Sequence, residues 1–327
     1  MWCRFLPCAT AMAACLSLPA HAAEATFPQI VTHAFGQTTI PARPERIATV
    51  GWANHEVPLA LGVLPVGFAG AGFGDDDGDR ILPWVGDRLR QMDAAPPPLF
   101  DETAGIDFEA VAATRPDVIL AAYSGLDRSE YETLSMIAPV VAYPQSPWTT
   151  DWRDMIRLDS AGMGMADEGD ALIAETEALI SLTLARHPQI KGRTAMFATF
   201  PDPTDLSVVS FYNDNDPRVR FLHDLGLVSP DSVTQATEAG QFAGSVSAER
   251  VDLFDDVDIV VTYGGQDMLD LLKADPLLGR MPAIADDAVV MLGTGPQAAA
   301  ANPTPLSIPY VLQAYVEKLA QAARKAQ

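Results

Sequence analysis

Short apolar runs and amphipathic segments alternate along the first half of the chain. Runs rich in β-branched residues indicate strands, and apolar positions at helical spacing indicate helices. The elements predicted for this half are strands at 46–50, 66–69, 117–121 and 140–142 and helices at 56–61, 108–114 and 129–137. Residues 70–102 are too rich in Gly, Asp and Pro for regular structure, apart from a short helix within 81–89. The alternation is typical of a parallel sheet with crossover helices.

The alternation of strands and helices stops between residues 152 and 187, where a helical pattern continues without a strand. A helix over residues 166–187 would be roughly 33 Å long at 1.5 Å per residue. Strands and helices then alternate again, with strands predicted at 194–200, 206–211, 257–263 and 288–292 and helices at 217–225, 267–272 and 307–323. The pattern therefore predicts an N-terminal α/β lobe at 23–151, a bridging helix at 152–189 and a C-terminal α/β lobe at 190–327.

The first 22 residues have the pattern of a secretory signal. Arg4 precedes an apolar run that ends near Ala20-His21-Ala22, a typical cleavage sequence, so the mature chain is expected to begin at Ala23. An alternative interpretation is a lipoprotein signal, with Cys15 as the acylated residue. All three cysteines, Cys3, Cys8 and Cys15, fall within this segment, so the rest of the chain forms neither a disulfide nor a thiolate metal site.

Charge narrows the functional classes. The chain has 21 Lys and Arg residues against 43 Asp and Glu residues, and its formal net charge is −22. Such an acidic surface repels phosphate backbones, which excludes nucleic-acid binding. Because no later stretch approaches about 20 uninterrupted apolar residues, an exported protein that is soluble or lipid-tethered is expected.

Several short blocks appear in an order that resembles a known family. The blocks are 44–48 (PERIA), 60–67 (ALGVLPVG), 107–111 (DFEAV), 115–120 (RPDVIL), 131–134 (YETL), 137–141 (IAPVV), 275–277 (DPL) and 305–310 (PLSIPY). Together they resemble the periplasmic ferric-siderophore binding proteins of ABC importers, whose relatives bind haem or cobalamin.

The resemblance implies a fold and a function. The fold would be two Rossmann-like lobes joined by a single long α-helix, with the ligand in a cleft between them. The function would be capture of a ferric siderophore in the periplasm by a monomer, without catalysis or a resident cofactor, and delivery to the permease in the cytoplasmic membrane. The resemblance also implies an acidic residue on the outer tip of each lobe that pairs with the permease, and Glu130 or Glu132 and Asp224 fall at these positions.

Strand ends and one loop supply the candidate ligand-binding residues. In an open α/β sheet the ligand lies at the carboxyl ends of the strands, and aromatic side chains suit a bulky chelate. The strand-end candidates are Trp52, Tyr123, Ser124, Tyr212 and Tyr263. The resemblance to the ferric hydroxamate-binding protein aligns Tyr123 with a ligand-contacting Tyr, and Thr103 with a ligand-contacting Arg. The loop after the second strand could supply a cation instead, through Arg80, Arg88 and Arg90 around Trp84.

Three alternatives remain open. A haem or cobalamin receptor could use Tyr123, Tyr263 or His55 as a ligand. A zinc or manganese receptor needs several converging His, Asp or Glu ligands, and only His55 of the histidines is expected to line the cleft. An exported hydrolase would need a catalytic motif, and the common ones are absent from the sequence. Residues 75–79 resemble a calcium loop, but Gly86 stands where an EF-hand has its final acid, so no metal site is expected.

Overall fold

The computed structural model describes residues 25–238 and 240–326. The predicted signal segment and Cys15 lie outside these residues. In the described part, no helix is both long and apolar enough to cross a lipid bilayer.

An antiparallel hairpin precedes the first lobe. It consists of β1 (Gln29–His33) and β2 (Gly36–Ile40). The hydroxyl of Thr38 donates to the carbonyl oxygen of Val140 at 2.7 Å, which ties the hairpin to the last strand of the lobe. The sequence pattern did not predict this hairpin, because its apolar residues are few.

The first lobe is built on a five-stranded parallel sheet with helices around it. Its strands are β3 (Ile47–Thr49), β4 (Gly67–Ala69), β5 (Leu99–Phe100), β6 (Val118–Ala121) and β7 (Val140–Ala142), in the order β5-β4-β3-β6-β7. The helices are α1 (Glu56–Ala60), α2 (Pro83–Gln91), α3 (Phe108–Ala113) and α4 (Arg128–Ser135). β3 and β6 are neighbours in the centre of this sheet, so the segments that follow them emerge side by side.

The long helical segment contains two helices instead of one. α5 (Trp152–Gly162) packs on the first lobe, and α6 (Ala166–Leu184) follows after a short break. Gly164 has a positive φ of 68°, a conformation that ends a helix and that residues with a Cβ rarely adopt. The single bridging helix predicted over 152–189 is therefore wrong, because the segment is divided near Gly164, and α6 alone forms the long helix between the lobes.

The second lobe has a mixed five-stranded sheet. Its strands are β8 (Ala195–Thr199), β9 (Val208–Tyr212), β10 (Ala243–Ser247), β11 (Ile259–Thr262) and β12 (Val289–Met291), in the order β10-β9-β8-β11-β12. β8, β11 and β12 run parallel to one another, whereas β9 is antiparallel to both of its neighbours, β8 and β10. The helices are α7 (Pro217–Asp224), α8 (Asp231–Gln235), α9 (Gln266–Ala274), α10 (Pro282–Ala285), α11 (Pro296–Ala300) and α12 (Ser307–Lys325), with 3-10 turns at Pro188–Ile190, Ala248–Phe254 and Leu278–Arg280.

The two lobes share apolar and polar contacts. One buried cluster runs from the first sheet through α5, α6 and α12 into the second sheet. The carboxylate of Glu56 accepts hydrogen bonds from the Thr304 hydroxyl and the Leu306 amide, which connects α1 to the start of α12. Asp224 at the end of α7 forms an ion pair of 2.9 Å with Arg153 of α5. The cleft between the lobes is thus flanked by contacts that fix their separation.

Candidate functional site

A pocket opens between the lobes at the carboxyl ends of β3, β6 and β11. We call it the central pocket, and it has an empty volume of about 690 Å³. It is lined by Trp52, Phe73, Tyr123, Trp148, Arg218, Phe242, Tyr263, Ala298, Ala299 and Asn302. Six of these ten residues are aromatic and come from both lobes, so a ligand here would meet ring faces from two sides.

Arg218 places a fixed positive charge at this pocket. It stands in the first turn of α7, and two of its nitrogens donate to the carboxylate of buried Asp216 at 2.8 and 2.6 Å. A third nitrogen donates to the hydroxyl of Tyr263 at 3.2 Å, and the guanidinium carbon lies 3.7 Å from the ring centre of Tyr212. Burial alone would lower the pKa of Arg218, but the hydrogen bonds and charge of Asp216 outweigh it and raise the pKa. The guanidinium is therefore charged, held in one orientation and left with free N–H groups.

Two phenols stand beside this cation. Tyr123 is 3% exposed, and its hydroxyl accepts a hydrogen bond of 3.2 Å from the side-chain amide of Asn302 across the cleft. Burial raises the pKa of both Tyr123 and Tyr263. Because both phenols stay protonated, they can donate hydrogen bonds to acceptor oxygens on a ligand.

A second pocket lies next to the central one, inside the first lobe. We call it the side pocket, and its empty volume is about 760 Å³. It shares Trp52 and Trp148 with the central pocket and is further lined by Gly51, Ala53, His55, Ala69, Gly70, Ala71, Gly72, Arg80, Ile81, Leu82, Glu102 and Thr103. The shared tryptophans make the two pockets neighbours along one cleft.

Two titratable groups of the side pocket have strongly shifted pKa values. Burial raises the pKa of Glu102 to about 7, against a weaker opposing effect of the Gly51 amide, which donates to its carboxylate at 3.0 Å. Burial lowers the pKa of His55 to about 3, and its ring stacks on Phe68 at 4.3 Å. His55 is therefore neutral, while Glu102 is close to half ionised at neutral pH.

Comparison with known proteins identifies the family. The sequence model of the periplasmic binding proteins matches residues 47–296. The chain belongs to the periplasmic binding protein family. The expected resemblance and the fold of two α/β lobes are thereby confirmed.

Three similar proteins belong to transport systems or are described as binding proteins. The crystal structure of PiaA from Streptococcus pneumoniae TIGR4 in complex with ferrichrome is 44% identical, with 91% of this chain and 99% of that chain covered and a TM-score of 0.88. A periplasmic solute binding protein from Mycobacterium smegmatis is 27% identical, with 90% and 98% covered and a TM-score of 0.72. The probable siderophore-binding lipoprotein YfiY of Bacillus subtilis is 27% identical over 71% of this chain and 67% of its own length.

The structure brings Trp52, Tyr123 and Tyr263 together in the central pocket and places Arg80 in the side pocket. Tyr212 lies behind them, stacked against the guanidinium of Arg218. The placement of Trp52, Tyr123 and Tyr263 follows from the strand-end argument, because the residues after parallel strands meet at one edge of each sheet.

The other candidate residues lie away from both pockets. Trp84 is buried and donates to the carboxylate of Glu56 at 2.7 Å, and Arg88 donates to the Leu59 carbonyl at 2.7 Å. Arg90 pairs with Asp87 on the exposed side of α2, and the hydroxyl of Ser124 donates to the Ala121 carbonyl at 2.8 Å. Helix α2 folds back onto α1, so the polar groups of Trp84 and Arg88 are used within the lobe.

Several residues of the central pocket were not among the candidates. Trp148, Phe73 and Phe242 lie on loops whose path the apolar pattern does not show. The position of Arg218 could have been predicted from the sequence. Asp216-Pro217 is a typical helix start, and the helix it begins, α7, follows directly after β9. A charged residue directly after such a helix start in the second lobe therefore indicates a cation at the edge of the cleft.

The acids expected at the lobe tips differ in their surroundings. On α4, Glu130 is half-buried and Glu132 is exposed, and the guanidinium of Arg128 lies 3.8 Å from the carboxylate of Glu132. The carboxylate of Glu130 accepts from the amide of Asp127 as part of the cap of α4. Asp224 instead accepts from Arg153 and from the Trp152 indole, both at 2.9 Å, so its carboxylate is occupied at the junction between the lobes.

Within the described ranges, three acidic side chains approach one another closely enough to share a cation: Asp75, Asp77 and Asp79. Asp75 already accepts from the amides of Gly78 and Arg80, both at 2.9 Å, and these bonds close the loop. No such group forms at either pocket among the described residues.

Proposed function

We propose that this chain is the substrate-binding component of an ABC importer and that it captures a ferric siderophore in the central pocket. The observation that carries the proposal is the fixed guanidinium of Arg218 in a pocket with aromatic walls. The 44% identity to PiaA, whose crystal structure contains ferrichrome, supports the same ligand class.

The chemistry of a ferric siderophore suits this pocket. Its iron is already surrounded by oxygen donors, so the protein needs no ligand of its own and performs no chemistry. The chelating oxygens carry negative charge, and the free N–H groups of Arg218 and the phenols of Tyr123 and Tyr263 can donate to them. Trp52 and Trp148 then contact the organic shell.

The proposal includes delivery to a permease. The α4 surface with Glu130 and Glu132 can pair with cationic side chains on that partner, since opposite charges at a docking surface steer association. We assign Asp224 a weaker part in docking, because its carboxylate is already paired. The periplasm as location, the signal over residues 1–22 and a monomeric state belong to the same proposal.

A fluorescence titration tests the proposal. Trp52 and Trp148 line the central pocket, so ferric ferrichrome should quench tryptophan emission at submicromolar concentrations, whereas iron-free ferrichrome should quench it far less. Haem and cyanocobalamin are titrated in parallel. A Soret band shift with haem, or no response to any ferric chelate, would overturn the proposal.

A further inference from the structure

Glu102 is the sole acidic residue among the described residues that line the two pockets. Its carboxylate is held by one protein donor, the amide of Gly51. A carboxylate that loses water on burial needs compensation from a cation or from several donors. One backbone amide leaves most of its acceptor capacity unused.

Among the residues that the structure describes, no side chain neutralises Glu102. Arg80 shares the side pocket, but its guanidinium donates to the Phe100 carbonyl at 3.1 Å and pairs with Asp101 at 3.4 Å. His55 is neutral. In the part of the chain that the structure describes, no ion pair includes Glu102, and the raised pKa of its half-buried carboxyl reflects burial without a countercharge.

The surroundings of Glu102 favour a cation. Trp52 and Trp148 present indole rings to the same pocket, and indole faces attract ammonium groups. The formal net charge of −22 also raises the local concentration of cations. Because both tryptophans also line the central pocket, a molecule seated there can extend an arm into the side pocket.

We propose that the side pocket binds a cationic arm of the siderophore, an ammonium group that donates to the carboxylate of Glu102. This inference rests on the proposed function and adds a preference within its substrate class: ferric chelates that carry an amine outside the iron coordination shell should bind more tightly than matched chelates that lack one. Arg218 then binds the anionic chelate centre, and Glu102 binds the opposite charge at its periphery.

A pair of chelates tests the inference on the wild-type protein. Ferrioxamine B carries a terminal ammonium, and its N-acetylated form has the same iron coordination without that charge. Titrations at pH 8, where Glu102 is ionised, should give about tenfold weaker binding for the acetylated chelate, as expected for loss of one partly buried charge-assisted hydrogen bond.

Protein variants complete the test. Glu102→Gln should weaken binding of ferrioxamine B about tenfold and abolish the discrimination between the two chelates. Glu175→Gln removes the same charge from the exposed surface of α6 and should change neither affinity. Equal wild-type affinities for both chelates, or ferrichrome binding without binding of either ferrioxamine, would overturn this inference and leave the proposed function standing. Absence of binding for all three ferric chelates would overturn the proposed function itself.

Discussion

The guanidinium of Arg218 derives its binding capacity from the residues that hold it. Asp216 takes up two of its nitrogens, Tyr212 covers one face and Tyr263 accepts from a third nitrogen. The side chain therefore has little rotamer freedom left to lose when a ligand binds.

Replacing Arg218 should weaken chelate binding strongly. Arg218→Gln should raise the dissociation constant for ferric ferrichrome about tenfold to a hundredfold, because charged hydrogen bonds are lost in a desolvated site. Arg218→Lys should recover part of the affinity, since it keeps the charge but not the planar fork. Titration calorimetry measures both.

Arg193→Gln is the matched control for this prediction. It removes an arginine that pairs with Asp258 at 3.4 Å, outside both pockets. The affinity of Arg193→Gln for ferric ferrichrome should equal that of the wild type. Wild-type affinity in Arg218→Gln, with the melting temperature preserved, would remove Arg218 from the site.

The sequence predicted only some of the residues that line the central pocket. Trp52, Tyr123 and Tyr263 follow directly from strands β3, β6 and β11, so sheet topology places them. Trp84 and Arg88 lie on a helix, and the sequence did not show which face of α2 packs on the lobe. Trp148 and Phe242 depend on loop paths, which tertiary packing decides.

Among the elements, strands with strongly apolar sequences were predicted well. The buried strands β6 and β11 fall within the predicted ranges 117–121 and 257–263. β10 and the hairpin β1–β2 were missed, since edge strands and surface hairpins of small and polar residues give a weak apolar pattern.

The break between α5 and α6 depends on Gly164. Gly164→Ala should destabilise the protein by about 1 to 2 kcal/mol from the positive φ alone. The added methyl group would also lie 2.5 Å from the Phe27 ring, so a further loss of stability is expected. Urea denaturation followed by circular dichroism measures the change.

Gly192→Ala separates these two effects. Gly192 also has a positive φ, of 77°, but an added methyl group there would meet no atom within 4 Å. Its destabilisation should be smaller than that of Gly164→Ala. Equal losses of stability in the two variants would mean that the close approach of the added methyl group to Phe27 carries no cost.

At the scale of the whole molecule, Glu56 couples the contact between the lobes to pH. This carboxyl is fully buried, and burial raises its pKa from 4.5 to about 7, despite hydrogen bonds from Thr304, Trp84 and Leu306. The folded state therefore holds a proton that the unfolded state releases, so the stabilising contribution is complete below pH 4.5 and is lost as pH rises through about 7.

Glu56→Gln should remove the contribution of this carboxyl to the pH dependence of the unfolding free energy. The wild type should lose up to about 3 kcal/mol of unfolding free energy through this group between pH 4.5 and 7, and the variant should show a flatter profile. Urea unfolding at several pH values checks this, with Glu175→Gln as the control. Parallel profiles for wild type and Glu56→Gln would contradict the assigned role of Glu56.

Delivery to the permease can be tested apart from ligand capture. Glu132→Arg reverses a charge on α4, outside both pockets, so affinity for ferric ferrichrome should not change. Uptake of the iron complex by cells or by reconstituted importer should fall severalfold or more. Glu175→Arg makes the same charge reversal on α6 and should support normal uptake. Normal uptake with Glu132→Arg would exclude this residue from docking.

The central claim is that a preassembled iron chelate occupies the pocket between the lobes, and a crystal structure of the chain with ferric ferrichrome tests it most directly. We predict that the chelate lies against Trp52, Trp148 and Tyr123, that Arg218 donates to its iron-bound oxygens, and that no protein atom coordinates the iron. Iron coordinated by a protein side chain, or a chelate bound outside the central pocket, would contradict the account.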